Sequence, residues 1–211
     1  MVTGDRWRRI YRSCRLVGWA AAAGLAVLLA PAQLAGDGFK ITAATESQIV
    51  KVRSVLEQRP LGLSEAKLDQ LARSIVEESE RHSLDAMLLL AIIHVESRFD
   101  PRAVSQKGAQ GLMQVRSVAV AALVDDERIP RLPPKVDLKD PLINVRLGAS
   151  YLALLQEMFG ELKLSLEAYN QGPTRVRSRI AAREKLSFAY ADQVLSVKRG
   201  LERETSSRDP A

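Results

Sequence analysis

The chain has 211 residues, 46% of them hydrophobic and only 5% aromatic, enough for one compact domain with an appendage but not for several domains. Its single cysteine excludes an internal disulfide framework, and two histidines with one cysteine disfavour a zinc or iron–sulfur site. The formal charge of +6 and the pI near 9.7 suggest a polyanionic partner, so where those charges lie has to be settled first.

Residues 1–15 carry Arg6, Arg8, Arg9, Arg12 and Arg15 against Asp5 alone, a local +4. Subtracting those four from six leaves +2 for everything else, so a nucleic-acid partner is not expected. Residues 16–36 hold no charge and are mostly Ala, Leu and Val. A basic segment followed by a long apolar run has the pattern of an export signal, and the run is also long enough to span a bilayer with its arginines on the cytoplasmic side. Ala30-Pro31-Ala32 offers small residues for cleavage after Ala32, and retention as a single-pass anchor stays open beside it. Cys14 precedes the apolar run, which argues against lipid anchoring there. A periplasmic location is expected under either alternative.

Residues 37–62 read as a linker with some helix, closed by Pro60-Leu61-Gly62. Ser64 has the character of an N-cap, and Leu68, Leu71, Ala72 and Ile75 follow at helical spacing to about Arg81. Ser83 or Asp85 caps a second helix whose run from Ala86 to Ile93 is apolar all round, as in a helix buried on every side. This helix must end near Phe99-Asp100-Pro101, because the residue before proline is pushed out of the α region. Residues 101–115 read as loop or small hairpin, 116–123 as helix, and 125–141, with four prolines, as an irregular excursion. Helices are expected over 143–159, closed by Gly160, over 162–170, and over 176–199, with a flexible tail at 201–211. The fold class is therefore mainly α with at most a short β element.

Glu96 lies three positions beyond the apolar run, at a helix end. A carboxyl group there is partly desolvated, which raises its pKa and suits it to act as a general acid near neutral pH. Around it stand Glu96-Ser97-Arg98-Phe99-Asp100-Pro101, then Gly108-Ala109-Gln110-Gly111-Leu112-Met113-Gln114-Val115. Asn144 with Leu147-Gly148 and Tyr151-Leu152 follows, and then Ala168-Tyr169-Asn170-Gln171-Gly172-Pro173. In this order and spacing the blocks over about residues 80–180 resemble the soluble lytic transglycosylase (SLT-type) family, peptidoglycan-cleaving enzymes with a goose-lysozyme-like helical fold. Tyr190-Ala-Asp-Gln-Val194-Leu195 extends the likeness more weakly. A catalytic domain over residues 63–200 follows from it.

The resemblance implies that Glu96 is the sole catalytic acid and that Ser105 stands near it. It further implies that Met113 and Gln114 line the sugar groove and that Tyr169 and Asn170 face the glutamate, the Tyr169 hydroxyl being placed to hydrogen-bond it. Asn144 and Tyr151 match positions that knit helices together. The sequence departs from the family where Arg116-Ser117-Val118-Ala119 replaces a usual Met-Pro and Thr-Ala, and where Gln171 replaces a small residue and could narrow the cleft.

Glycosidases ordinarily use two carboxylates. Asp100, ahead of Pro101, reads as a turn cap, and Glu167, two residues before Tyr169, should point to another face of its helix. His94 is about 200° round the helix from Glu96 and reads as a packing residue. By resemblance a second carboxylate is unnecessary: Glu96 protonates the oxygen linking N-acetylmuramic acid to N-acetylglucosamine, and the C6 hydroxyl of the muramic residue closes a 1,6-anhydro ring. The expected partner is the peptidoglycan glycan strand, acted on by a monomer without cofactor or metal. Membrane association through the N-terminal segment and a place in an envelope machine stay open. A hydrolytic muramidase and a catalytically silent glycan-binding component are the alternatives.

Overall fold

The computed structural model describes residues 42–126 and 136–207. The basic and apolar N-terminal segment with Cys14 lies outside the described residues, as do most of the proline-rich excursion and the last residues of the tail. Residues 42–211 cluster as one compact unit. Among the described residues there are eight helices: α1 (Ala43–Glu57), α2 (Glu65–Arg81), α3 (Ala86–Ser97), α4 (Ser117–Asp125), α5 (Pro141–Phe159), α6 (Leu162–Gln171), α7 (Pro173–Ala181) and α8 (Ala189–Ser206). No described helix is long and apolar enough to cross a membrane.

α3 is the axle of the unit. Leu89, Leu90, Ala91, Ile92 and Ile93 are fully buried in succession, which is possible only with neighbours on every side. Those neighbours are α8, α2 and α1. Burying each large aliphatic side chain contributes about 2 kcal/mol, so this short run is a concentrated source of stability. Its start is set by Asp85, whose carboxylate accepts from the backbone N–H groups of Met87 and Leu88 at 2.7 and 3.1 Å. α5 starts in the same way: Asp140 accepts from Leu142 and Ile143, with Pro141 in the first turn. α5 packs on α2, α4 and α6, and ends at Gly160 in the left-handed region.

The β content is small. Gln110 forms isolated antiparallel bridges to Val104 and Val115, which fold residues 103–115 into a tight loop. α5 staples this loop from below. Fully buried Asn144 accepts from Met113 N–H at 2.7 Å and donates to the carbonyls of Gln110 and Leu138 at 2.8 and 2.7 Å. Gly111 leaves room for that amide, since a Cβ there would lie 2.4 Å from Asn144 Nδ2.

Three segments differ from the sequence-based expectation. Within 37–62, expected as a linker with some helix, α1 is a 15-residue helix that belongs to the core, with Val52, Val55 and Leu56 fully buried against α2 and α3. The expected helix over 176–199 is two helices. Arg183 adopts φ +54°, the Glu184 N–H bonds back to the Arg179 carbonyl, and the Arg179 side chain grips Glu184 and the Lys185 carbonyl. The chain therefore turns without glycine or proline. The tail expected from 201 is helical through Ser206, because Leu201 and Thr205 are buried in α8.

Candidate active site

Glu96 occupies the last turn of α3, immediately before the chain reverses. Arg98 and Phe99 both take the left-handed conformation, at φ +52° and +66°, an arrangement that costs energy in two non-glycine residues. Phe99 offsets the strain by burying its ring, edge-on to His94 at 5.9 Å and beneath the Arg59 guanidinium at 5.6 Å. His94 thus packs rather than reacts, and burial with Arg59 and Arg98 nearby lowers its pKa. The Asp100 carboxylate accepts from the Arg102 N–H at 2.8 Å, closing the turn.

Half-buried Glu96 accepts one hydrogen bond, from the Tyr190 hydroxyl to Oε1 at 2.6 Å. Burial raises its pKa, and the Tyr190 bond opposes that rise only in part. Among the described residues no donor contacts Oε2, so that oxygen is free to carry and deliver a proton. The arrangement suits a general acid that returns as a base.

Tyr190, in the first turn of α8, is the residue that sequence reasoning missed as a partner. Tyr169 was expected to hold the glutamate, but its hydroxyl donates instead to the Met113 carbonyl at 2.8 Å. Its ring meets Tyr151 at 5.6 Å. Both phenols lie close enough for the Glu96 charge to act on them, and burial first, then that charge, pushes each well above the ordinary phenol value. The signal for Tyr190 was the weaker last block of the likeness.

The other expected site residues fall into two groups. Met113 does not line a groove with its side chain, which is fully buried; a Cβ on Gly148 would lie 2.5 Å from its sulfur. What it offers the site is its carbonyl. Gln114, at φ +48°, donates from Nε2 to the carbonyls of Ala103 and Gly111, both at 3.1 Å, so it braces the loop. Ser105 is exposed, and its hydroxyl accepts from Ala109 N–H at 3.0 Å, closing the same loop. Asn170 is exposed near the end of α6. Gln171 does not reach into the cleft as its size suggested, because its amide is tied to Glu167 at 2.6 Å.

The family model described as the transglycosylase SLT domain matches residues 73–191. Over 90 residues the chain is 38% identical to the soluble lytic murein transglycosylase of Escherichia coli (strain K12), covering 42% of this chain and 14% of that protein. Over 93 residues it is 39% identical to the membrane-bound lytic murein transglycosylase C of Edwardsiella ictaluri, covering 44% of this chain and 25% of that one. The solved lytic transglycosylase Slt of Pseudomonas aeruginosa, an inactive mutant, superposes with a TM-score of 0.54 at 28% identity, covering 65% of this chain and 24% of its own. Each of these relatives is much longer than the part it shares. With more than half of its length matched by the family model, the chain belongs to the transglycosylase SLT-domain family and has the mainly helical, lysozyme-like fold of that family.

Proposed function

We propose that this protein is an exported peptidoglycan lytic transglycosylase that cleaves the β-1,4 bond between N-acetylmuramic acid and N-acetylglucosamine and leaves 1,6-anhydro ends. The observation that carries the reading is the setting of Glu96: a carboxyl group whose pKa is raised by burial, held through one oxygen by Tyr190, with no donor on the other among the described residues. Protonated Glu96 gives its proton to the glycosidic oxygen as the bond to the anomeric carbon breaks. Positive charge develops there, and the C6 hydroxyl of the same sugar attacks, returning its proton to Glu96. The nucleophile is part of the substrate and reacts at high effective concentration, so neither a positioned water nor a second carboxylate is required. This fits the neighbourhood, since Asp100 closes a turn and buried Glu167 is bonded to Gln171 within α6 and to Ala191 of α8.

The same reading assigns the sugar groove to the face bounded by the 103–115 loop and α6, with Asn170 and Ser105 exposed on it. Residues 1–36 serve as export signal or membrane anchor, and the catalytic domain acts in the periplasm without cofactor. The test is mass spectrometry of muropeptides released from purified sacculi by residues 37–211. Anhydro-muramic ends that vanish with Glu96→Gln are expected. Reducing ends alone would overturn the reading in favour of a muramidase, and glycan binding without cleavage by wild type would favour a silent scaffold.

A further inference from the structure

Glu167 is a carboxylate with 2% exposure, set in α6 between buried Leu166 and Ala168. A buried charge costs several kcal/mol unless it is well hydrogen-bonded, so its partners identify its purpose. Oε1 accepts from the backbone N–H of Ala191 at 3.1 Å, and Oε2 accepts from the Gln171 amide at 2.6 Å. Ala191 lies in the first turn of α8, where N–H groups have no partner within the helix, and the residue at the N-cap position, Phe188, offers no side-chain acceptor. Glu167 supplies that acceptor from another helix, with its charge at the positive end of the α8 dipole.

Ala191 follows directly on Tyr190, whose hydroxyl meets Glu96 at 2.6 Å. We propose that Glu167 is a positioning residue: it caps α8 from α6, with Gln171 fixing its orientation, and thereby holds the Tyr190 hydroxyl on Glu96. Gln171, a departure from the family pattern, acquires a role as the residue that aims this carboxylate. The bond so positioned moderates the pKa of Glu96, which burial alone would drive higher. Tyr190 from α8 is the titratable group bonded to this carboxyl; the Glu96 charge reaches Tyr169 from α6 as well, and the Glu167 charge reaches Tyr190. The catalytic meaning of the role rests on the reading of Glu96 as the acid; the geometry does not.

The experiment is a carboxyl-carbon NMR titration of Glu96 in the full-length chain labelled at glutamate side chains, the resonance being assigned by its loss in Glu96→Gln. Glu167→Ala is expected to move the Glu96 midpoint upward, in the direction and by the size of Tyr190→Phe. The double variant is expected to move it no further than Tyr190→Phe alone, because both act through one bond. Glu167→Gln retains an acceptor for Ala191 and is expected to stay near the wild-type midpoint. A folded Glu167→Ala with an unmoved midpoint, or shifts that add in the double variant, overturns the proposal. Where Glu167→Ala fails to fold, Gln171→Ala decides: a smaller upward shift supports the role and none overturns it. Sacculus digestion by wild type judges the transglycosylase reading separately. An inactive wild type in which Glu167→Ala still moves the Glu96 midpoint refutes that reading and leaves the positioning role standing.

Discussion

Asn144 does at residue scale what a strand pairing does elsewhere: one buried amide satisfies three backbone groups from two loops. Its removal would leave the Met113 N–H and two carbonyls without partners, and each orphaned group costs about 1–3 kcal/mol. Asn144→Ala is therefore expected to destabilise the fold by about 4 kcal/mol in urea unfolding, after discounting relaxation around the small cavity. Glu96 works in the opposite direction. Its raised pKa means that the folded state binds this proton more tightly than the unfolded chain does, so stability falls as pH climbs from the ordinary carboxylate range through the folded value. Glu96→Gln should then melt above wild type at pH 7, with the gap closing in acid, a comparison made by calorimetry at both pH values. The position of this carboxyl was readable, since an apolar run followed by Glu at a helix end describes a desolvated acid. Its hydrogen-bond partner was not, because Tyr190 lies 94 residues away and only the tertiary packing of α8 on α3 brings it near.

Among the helices, α1 shows how a pattern is diluted. Ile49, Val52 and Leu56 are buried at helical spacing, but exposed Val50 and the charges at Lys51, Arg53 and Glu57 interrupt the stripe, so the segment reads as a linker with some helix. In the fold it is fastened on both sides of its length. Arg53 pairs with Glu57 at 3.0 Å and also with Glu65 and Asp69 of the α2 region, while Leu56 is fully enclosed. Leu56→Ala is expected to cost about 3 kcal/mol in chemical unfolding, as for other fully buried leucines, whereas a true linker residue would cost almost nothing. α2 and α3 were legible at their starts because Ser64 and Asp85 announce them, whereas α5 begins at Pro141, two residues before its expected start, on the Asp140 cap. The break between α7 and α8 was not, because Arg179, Glu184 and a left-handed Arg183 perform a turn that punctuation by glycine or proline would have advertised.

For the whole molecule, the basic pI reflects the N-terminal segment more than the folded unit: four of six net charges precede residue 16. Both tryptophans, Trp7 and Trp19, precede the unit as well, so the unfolding of residues 42–211 is best followed by circular dichroism. α3 is enclosed by α1, α2 and α8 together, and the smaller cluster of Leu155, Ala168 and Val176 in α5, α6 and α7 is tied to them through the packing of α5 on α2 and of α6 on α8. Far-ultraviolet and tyrosine signals are therefore expected to lose structure in one coincident transition, and a separate early loss of α1 or α8 would contradict this. Fold class was legible from periodicity, and the site's family likeness from its motif blocks, but closure by the two flanking helices was a matter of long-range packing.

Those flanking helices have a further consequence. Gln48 and Lys51 of α1 and Thr205 and Ser206 of α8 line one groove of about 600 Å³, and Arg59 grips Glu204 at 2.9 Å. The last turns of α8 are thus held along the middle and against the far end of α1. Cutting the chain before Leu201 would therefore strip α1 of these contacts as well as shorten α8, so the first and last helices are expected to loosen together.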